Sequence, residues 1–100
     1  MLQAADERRV IVLDGFISGA AVLVAQGLRR QVVQRCIAAH QSAEPGHAAM
    51  LAHLGVEPLL RLELRLGEGS GAALALSIVR GALACHNGMA TFGEAGVATA

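Results

Sequence analysis

One carboxylate stands among three glycines in the segment 65–72, where Glu68 lies between Gly67 and Gly69. Glycine lets the backbone form turns that are closed to other residues, and it lets the backbone approach a ligand closely. The small apolar run over residues 73–84 predicts a helix whose N-cap is Gly69 or Ser70. Glu68 then has two interpretations: an electrostatic partner of the helix N-terminus, or a base positioned for proton transfer.

A second carboxylate, Asp14, follows a short apolar run over residues 10–13 and precedes Gly15. A continuous β-branched run of this kind predicts a buried parallel strand. Ligands of open α/β sheets bind outside the carboxyl ends of such strands. Asp14 is therefore a candidate for contact with a hydroxyl group or a cation. The alternative is a turn aspartate that caps the following helix.

A third candidate site is the polar loop 40–47, which carries Ser42 and follows a predicted strand. A loop in this position, with a serine hydroxyl and two histidines, is suited to bind a small polar ligand. His40, His47 and His53 share neither a helix face nor the spacing of a zinc site, so no metal is expected. No cofactor is predicted.

Composition narrows the class of protein. The 100 residues suit one small domain or a piece of a larger one. Eight acidic and eight basic residues balance, which argues against nucleic acid or an anionic membrane as a partner. Cys36 and Cys85 are too few for a disulfide framework and are interpreted as reduced thiols. A charged N-terminus and the absence of a run of about 18 apolar residues predict a cytoplasmic chain.

The elements that must position these side chains alternate between strand and helix. Residues 16–28 predict a helix that is apolar on nearly all faces and is therefore buried on two sides. Residues 32–39 predict a strand, because strand–helix–strand at this spacing makes a βαβ unit. A helix is expected over residues 46–53. A half-exposed strand or extended segment over residues 59–66 then leads to Glu68.

Four segments occur together in one order. They are residues 12–18 (VLDGFIS), 42–47 (SAEPGH), 65–72 (RLGEGSGA) and 89–92 (MATF). In this combination the chain resembles the C-terminal part of the nicotinate-nucleotide–dimethylbenzimidazole phosphoribosyltransferase family, over roughly residues 9–97. The resemblance implies an α/β fold with a three-layer, parallel-sheet (Rossmann-like) arrangement. It also implies that residues 1–100 form a single segment of the C-terminal part of that fold.

The resemblance further implies an activity. The family transfers ribose 5-phosphate from nicotinate mononucleotide to 5,6-dimethylbenzimidazole, giving α-ribazole 5′-phosphate and nicotinate in the assembly of the cobalamin lower ligand. These two small molecules are the implied binding partners, and a homodimer is implied as the assembly. The glutamate that matches Glu68 is the family's general base.

The same match assigns further site residues. Asp14 and Ser42 fall where the family lines the nucleotide or product site. Leu66 falls where the family flanks the benzimidazole. Gly67 and Gly69 would keep the backbone close to ligand.

Family chains are considerably longer than 100 residues, and two interpretations follow. In the first, the chain supplies the part of the enzyme that bears the base, and a chain carrying the N-terminal half supplies the rest. In the second, the chain is a catalytically inactive, truncated remnant. Its apolar helices at 16–28 and 72–85 would then be buried by self-association.

Overall fold

The structure is a computed structural model that describes residues 1–98. The elements are α1 (Leu2–Asp6), β1 (Ile11–Leu13), α2 (Phe16–Leu28), a 3₁₀ helix (Arg30–Arg35), β2 (Cys36–His40), α3 (His47–Leu54), β3 (Pro58–Leu60) and α4 (Ser70–Gly88). The three strands form one parallel sheet in the order β1-β2-β3. The predicted α/β fold with a parallel sheet is confirmed.

Helices cover both sides of this sheet. On one side, α2 and α3 pack together over a core cluster that contains Leu13, Val22 and Leu54. Side chains alternate along a strand, so Ala39 of β2 faces the other side from its neighbour Ala38. There α4 packs against β2 and β3, and both Ala39 and Ala75 of α4 are fully buried. The predicted three-layer arrangement is therefore present.

Helix α2 has the predicted bounds, but it is buried on one side only. Gly19, Val22 and Ala25 are buried, whereas other apolar side chains of α2 are exposed. The expectation of burial on two sides is wrong for residues 1–98, because α3 and the 3₁₀ helix cover only the inner side. None of the helices in this range is long and apolar enough to cross a membrane.

The second strand begins later than predicted. Val32 and Val33 belong to the 3₁₀ helix, and β2 starts at Cys36. The 3₁₀ helix packs against α2, and Val32 is fully buried. Packing of these valines against α2 thus overrides their preference for a strand, as often happens with β-propensity.

The predicted extended segment over residues 59–66 is regular strand only as far as Leu60. Beyond Leu60 the backbone is irregular, and Glu63 adopts a left-handed conformation with φ of 55°. The segment nevertheless stays beside the loop that follows β2. The amide of Gln41 donates to the carbonyl of Leu60 at 2.9 Å, and the amide of Ala43 donates to that of Leu64 at 3.0 Å.

Candidate active site

A cavity of 380 Å³ opens at the carboxyl ends of β1 and β2. Its walls come from residues 14–17 after β1, from side chains between 40 and 44 at the end of β2, and from residues 64–68 before α4. Five of the six predicted site residues line it: Asp14, Ser42, Leu66, Gly67 and Glu68. The sixth, Gly69, lies beside the cavity as the N-cap of α4.

Glu68 occupies an unusual backbone turn. Gly67, Glu68 and Gly69 have consecutive left-handed φ values of 75°, 59° and 82°. This conformation is accessible to glycine, but it costs a residue with a Cβ about 1–2 kcal/mol. Ser70 closes the turn, since its amide donates to the carbonyl of Gly67 at 3.1 Å and its hydroxyl donates to the same oxygen at 2.6 Å. The strained turn holds the exposed Glu68 side chain at the cavity.

Asp14 binds the N-terminus of α4. Its Oδ2 accepts the Gly69 amide at 3.2 Å, and its Oδ1 accepts the Ala72 amide at 2.9 Å. The alternative that Asp14 caps the following helix is wrong, because the N-cap of α2 is Gly15 and α2 has no side-chain cap. Asp14 instead caps a helix that starts more than fifty residues later.

Asp14, and not Glu68, supplies the carboxylate that hydrogen-bonds to the amides at the start of α4. The first turn of α4 contains no acidic residue, and Glu68 precedes the N-cap. Among residues 1–98, the carboxylate of Glu68 has no hydrogen bond or ion pair. The Glu68 carboxylate therefore lies exposed at the cavity, without a partner among residues 1–98.

His40 lies beneath the α4 N-terminus, almost fully buried. A Cβ on Gly71 would overlap the His40 ring, so α4 can begin here only because residue 71 is glycine. Nε2 of His40 is 3.9 Å from Oδ1 of Asp14. Nδ1 is buried without a hydrogen-bond partner among residues 1–98. The ring thus packs against the first turn of α4 and also lines the cavity.

His47 lies below the loop that follows β2, and sequence reasoning missed this placement. The Ser42 amide donates to Nδ1 of His47 at 2.8 Å. Burial and, after it, the charge of His40 lower the pKa of His47. The signal in the sequence is the position of His47 directly after Gly46, five residues beyond Ser42, at the start of a helix.

The walls of the cavity differ in chemical character. Leu64, Leu66 and Phe16 provide apolar surface, and Glu68 provides an exposed carboxylate beside it. No three histidine, cysteine, aspartate or glutamate side chains within residues 1–98 come together as metal ligands. The arrangement can hold a flat apolar ring and accept a proton from it.

Comparison with known proteins identifies the family to which this chain belongs. A family model described as a phosphoribosyltransferase matches residues 1–97. A Variovorax paradoxus (strain S110) protein named nicotinate-nucleotide–dimethylbenzimidazole phosphoribosyltransferase is 65% identical over 97 residues, which are 97% of this chain and 28% of that protein. A Desulforudis audaxviator (strain MP104C) protein of the same name is 58% identical over 100 residues, covering 100% of this chain and 28% of that protein.

A solved structure agrees. The crystal structure of nicotinate-nucleotide–dimethylbenzimidazole phosphoribosyltransferase from Thermus thermophilus matches with a TM-score of 0.92 and 42% identity. The match covers 99% of this chain and 30% of that chain. The sequence thus spans less than a third of the length of the relatives it matches.

Proposed function

The chain belongs to the phosphoribosyltransferase family, and from this premise we propose that it supplies the base-bearing part of an active site for phosphoribosyl transfer. The proposed reaction moves ribose 5-phosphate from nicotinate mononucleotide to 5,6-dimethylbenzimidazole, giving α-ribazole 5′-phosphate and nicotinate. The names of the relatives support this choice of substrates. Because those relatives are more than three times longer, residues 1–100 are proposed to be one segment of the larger family domain.

The free carboxylate of Glu68 at an apolar cavity carries the proposal. Asp14 already binds the N-terminal amides of α4, so a helix-capping role does not explain Glu68. A cavity of 380 Å³ falls in the range of small-molecule sites, which is about 300–1,000 Å³. A benzimidazole is flat and mostly apolar, and the leucines at 64 and 66 offer a matching wall.

The chemistry requires a base at this point. One ring nitrogen of the benzimidazole attacks C1′ of the ribose, and the bond from C1′ to the nicotinate nitrogen breaks with its electron pair on nicotinate. The other ring nitrogen becomes acidic as the ring gains positive charge. Glu68 accepts that proton, so the product is neutral at the ring and the carboxylate becomes a carboxylic acid. Before transfer, the carboxylate also stabilises the developing charge.

The remaining assignments follow the cavity walls. Ser42 and Asp14 are proposed to contact the nucleotide or product, and Leu66 is proposed to flank the benzimidazole. Asp14 is engaged with two amides, but each carboxylate oxygen can accept more than one hydrogen bond. Gly67 and Gly69 would keep the main chain close to the ligand, since neither carries a side chain in the turn.

The exposed apolar surface supports association with more protein. Ile17 is 80% exposed and Leu28 is 73% exposed on α2, and Leu83 is 55% exposed on α4. Surface of this kind favours burial against another polypeptide. We propose either a homodimer or association with the part of the family fold that lies outside this chain. A catalytically inactive, self-associating remnant is the alternative, and it differs from the first proposal in lacking transfer activity.

The experiment grafts residues 1–97 into the Variovorax paradoxus relative in place of the segment they match. Phosphoribosyl transfer by the graft is expected, and Glu68→Gln should lower kcat about 10²–10⁴-fold. The matched control is Glu63→Gln, since Glu63 is another exposed glutamate with a left-handed backbone outside the cavity. An inactive graft would support the interpretation of the chain as an inactive remnant. Full activity of the Glu68→Gln variant would show that Glu68 is not the general base.

A further inference from the structure

His47 is held in one orientation beneath the loop 42–44, which follows β2 at the edge of the cavity. It is 2% exposed, and its ring packs edge-on against Phe16 with centroids 6.2 Å apart. A Cβ on Gly19 would lie 3.5 Å from Nε2, so α2 approaches the ring closely. Because Nδ1 accepts the amide of Ser42, the proton of the neutral ring must be on Nε2.

From Ser42, hydrogen bonds continue to the opposite wall of the cavity. The Ser42 hydroxyl oxygen accepts the Glu44 amide at 3.0 Å. The Glu44 carboxylate pairs with the guanidinium of Arg65 at 3.0 Å. The Ala43 amide also donates to the carbonyl of Leu64. His47 thus anchors one end of a network whose other end lies three residues before Glu68.

We propose that His47 is a positioning residue: its unprotonated Nδ1 fixes the main chain of Ser42, and through the loop 42–44 it sets the wall of the cavity that contacts substrate. This inference rests on the proposed function, because that function assigns the cavity to substrate. It adds a residue that does not itself line the cavity.

Protonation would reverse this interaction. A proton on Nδ1 would point at the Ser42 amide, so two donors would face each other and the loop would lose its anchor. Three titratable groups lie near His47. The ring centroid of His40, on β2, is 6.3 Å from that of His47, and Asp14 lies 3.9 Å from Nε2 of His40. The third is Glu44 in the loop 42–44. His53, on α3 itself, is exposed. On α2, the facing residues Phe16 and Gly19 carry no charge.

Two substitutions separate positioning from mere packing. His47→Asn keeps an acceptor near the place of Nδ1 but does not titrate. His47→Phe keeps the ring and removes the acceptor, which leaves the buried Ser42 amide without a partner. His53→Asn on the same helix is the matched control, since its side chain is exposed.

The test measures the pH profile of kcat/KM for each variant in the graft described above. Wild type should lose kcat/KM on the acidic side of neutrality, and His47→Asn should keep most activity without that loss. His47→Phe should lose about tenfold at every pH, as expected for an unsatisfied buried donor. A Phe variant with wild-type kcat/KM, or an Asn variant that keeps the acidic loss, would overturn the proposal.

A second measurement does not depend on activity. The ¹⁵N shifts of the imidazole nitrogens in the full chain should identify Nδ1 of His47 as unprotonated at neutral pH. A protonated Nδ1 would refute the positioning role even if transfer occurs. An inactive graft with an unprotonated Nδ1 would refute the proposed function and leave the His47–Ser42 bond standing.

Discussion

Oδ1 of Asp14 accepts the backbone amide of Ala72 at 2.9 Å, which joins the end of β1 to the first turn of α4. Loss of such a cap costs about 0.5–2 kcal/mol. Asp14→Ala should therefore lower the free energy of unfolding by about 1–2 kcal/mol, measured by urea denaturation of the full chain. Glu57→Ala is the control, because its carboxylate pairs with Arg61 on the surface and such pairs contribute about 0–1 kcal/mol. Equal effects of the two variants would contradict the capping role.

A methyl group at residue 71 should have a severe effect. A Cβ there would overlap the ring of His40, which is itself buried. Gly71→Ala should lower stability by about 3 kcal/mol, as expected for overpacking. Gly81→Ala on the same helix meets no atom within 4 Å and should raise stability by roughly 0.5–1 kcal/mol. Similar melting temperatures for the two variants would show that the first turn of α4 does not pack tightly against His40.

Replacing the proposed base with glycine should separate stability from activity. Glu68 has a left-handed φ of 59°, so Glu68→Gly should raise stability by about 1 kcal/mol while transfer is lost. Glu63→Gly relieves the same kind of conformation, with φ of 55°, and should stabilise to a similar degree with activity unchanged. Thermal unfolding and transfer assays on both variants test this. Destabilisation of both would show that the left-handed turns carry no strain.

Stability should fall as the pH is lowered below about 6.5. Burial and the charge of His40 lower the pKa of His47, so the unfolded chain binds a proton before the folded chain does. The contribution of neutral His47 is complete above the ordinary histidine pKa of about 6.5 and is lost progressively down to the folded-state pKa. His47→Asn should flatten this part of the stability profile, measured by urea denaturation at several pH values. A profile identical to wild type would contradict the assignment.

The two thiols should react at different rates. Burial raises the pKa of Cys36, whose Sγ donates to the carbonyl of Val32 at 3.3 Å, whereas Cys85 is exposed on α4. Alkylation requires the thiolate and access to it. Iodoacetamide at neutral pH should modify Cys85 first, as read by mass spectrometry of the digested chain. Faster modification of Cys36 would indicate that the 3₁₀ helix opens readily.

Local patterns in the sequence predict much of this fold. The bounds of α2 follow from its apolar run, and the start of α4 follows from glycine and serine at a helix N-terminus. Val32 and Val33 led to a wrong start for the second strand, because their packing against α2 outweighs their preference for a strand. Burial of α2 on two sides was expected from its apolar faces, but residues 1–98 contain no layer for its outer side.

For the candidate site, the sequence predicts which residue types matter better than it predicts their partners. Glu68 is recognisable because glycines surround it, and Asp14 because it ends an apolar strand. The bond between Asp14 and the α4 amides depends on how β1 and α4 meet in three dimensions, and no local pattern encodes that meeting. For His47 the sequence offers only its position after Gly46, five residues beyond Ser42, because its contact with the Ser42 amide depends on how the loop folds over it.

The Asp14–Ala72 bond also has a consequence for the order of folding. It joins residues 58 positions apart, whereas β1 and β2 are connected through the intervening helix. Contacts of large sequence separation form late, because the loop entropy must be lost before they contribute. A partly folded chain would therefore contain the sheet before it contains the cavity. In native-state hydrogen exchange, the amides of Gly69 and Ala72 should open at lower free energy than those of the buried residues Ala38 and Ala39 in the central strand β2. The site would then unfold locally while the sheet stays intact.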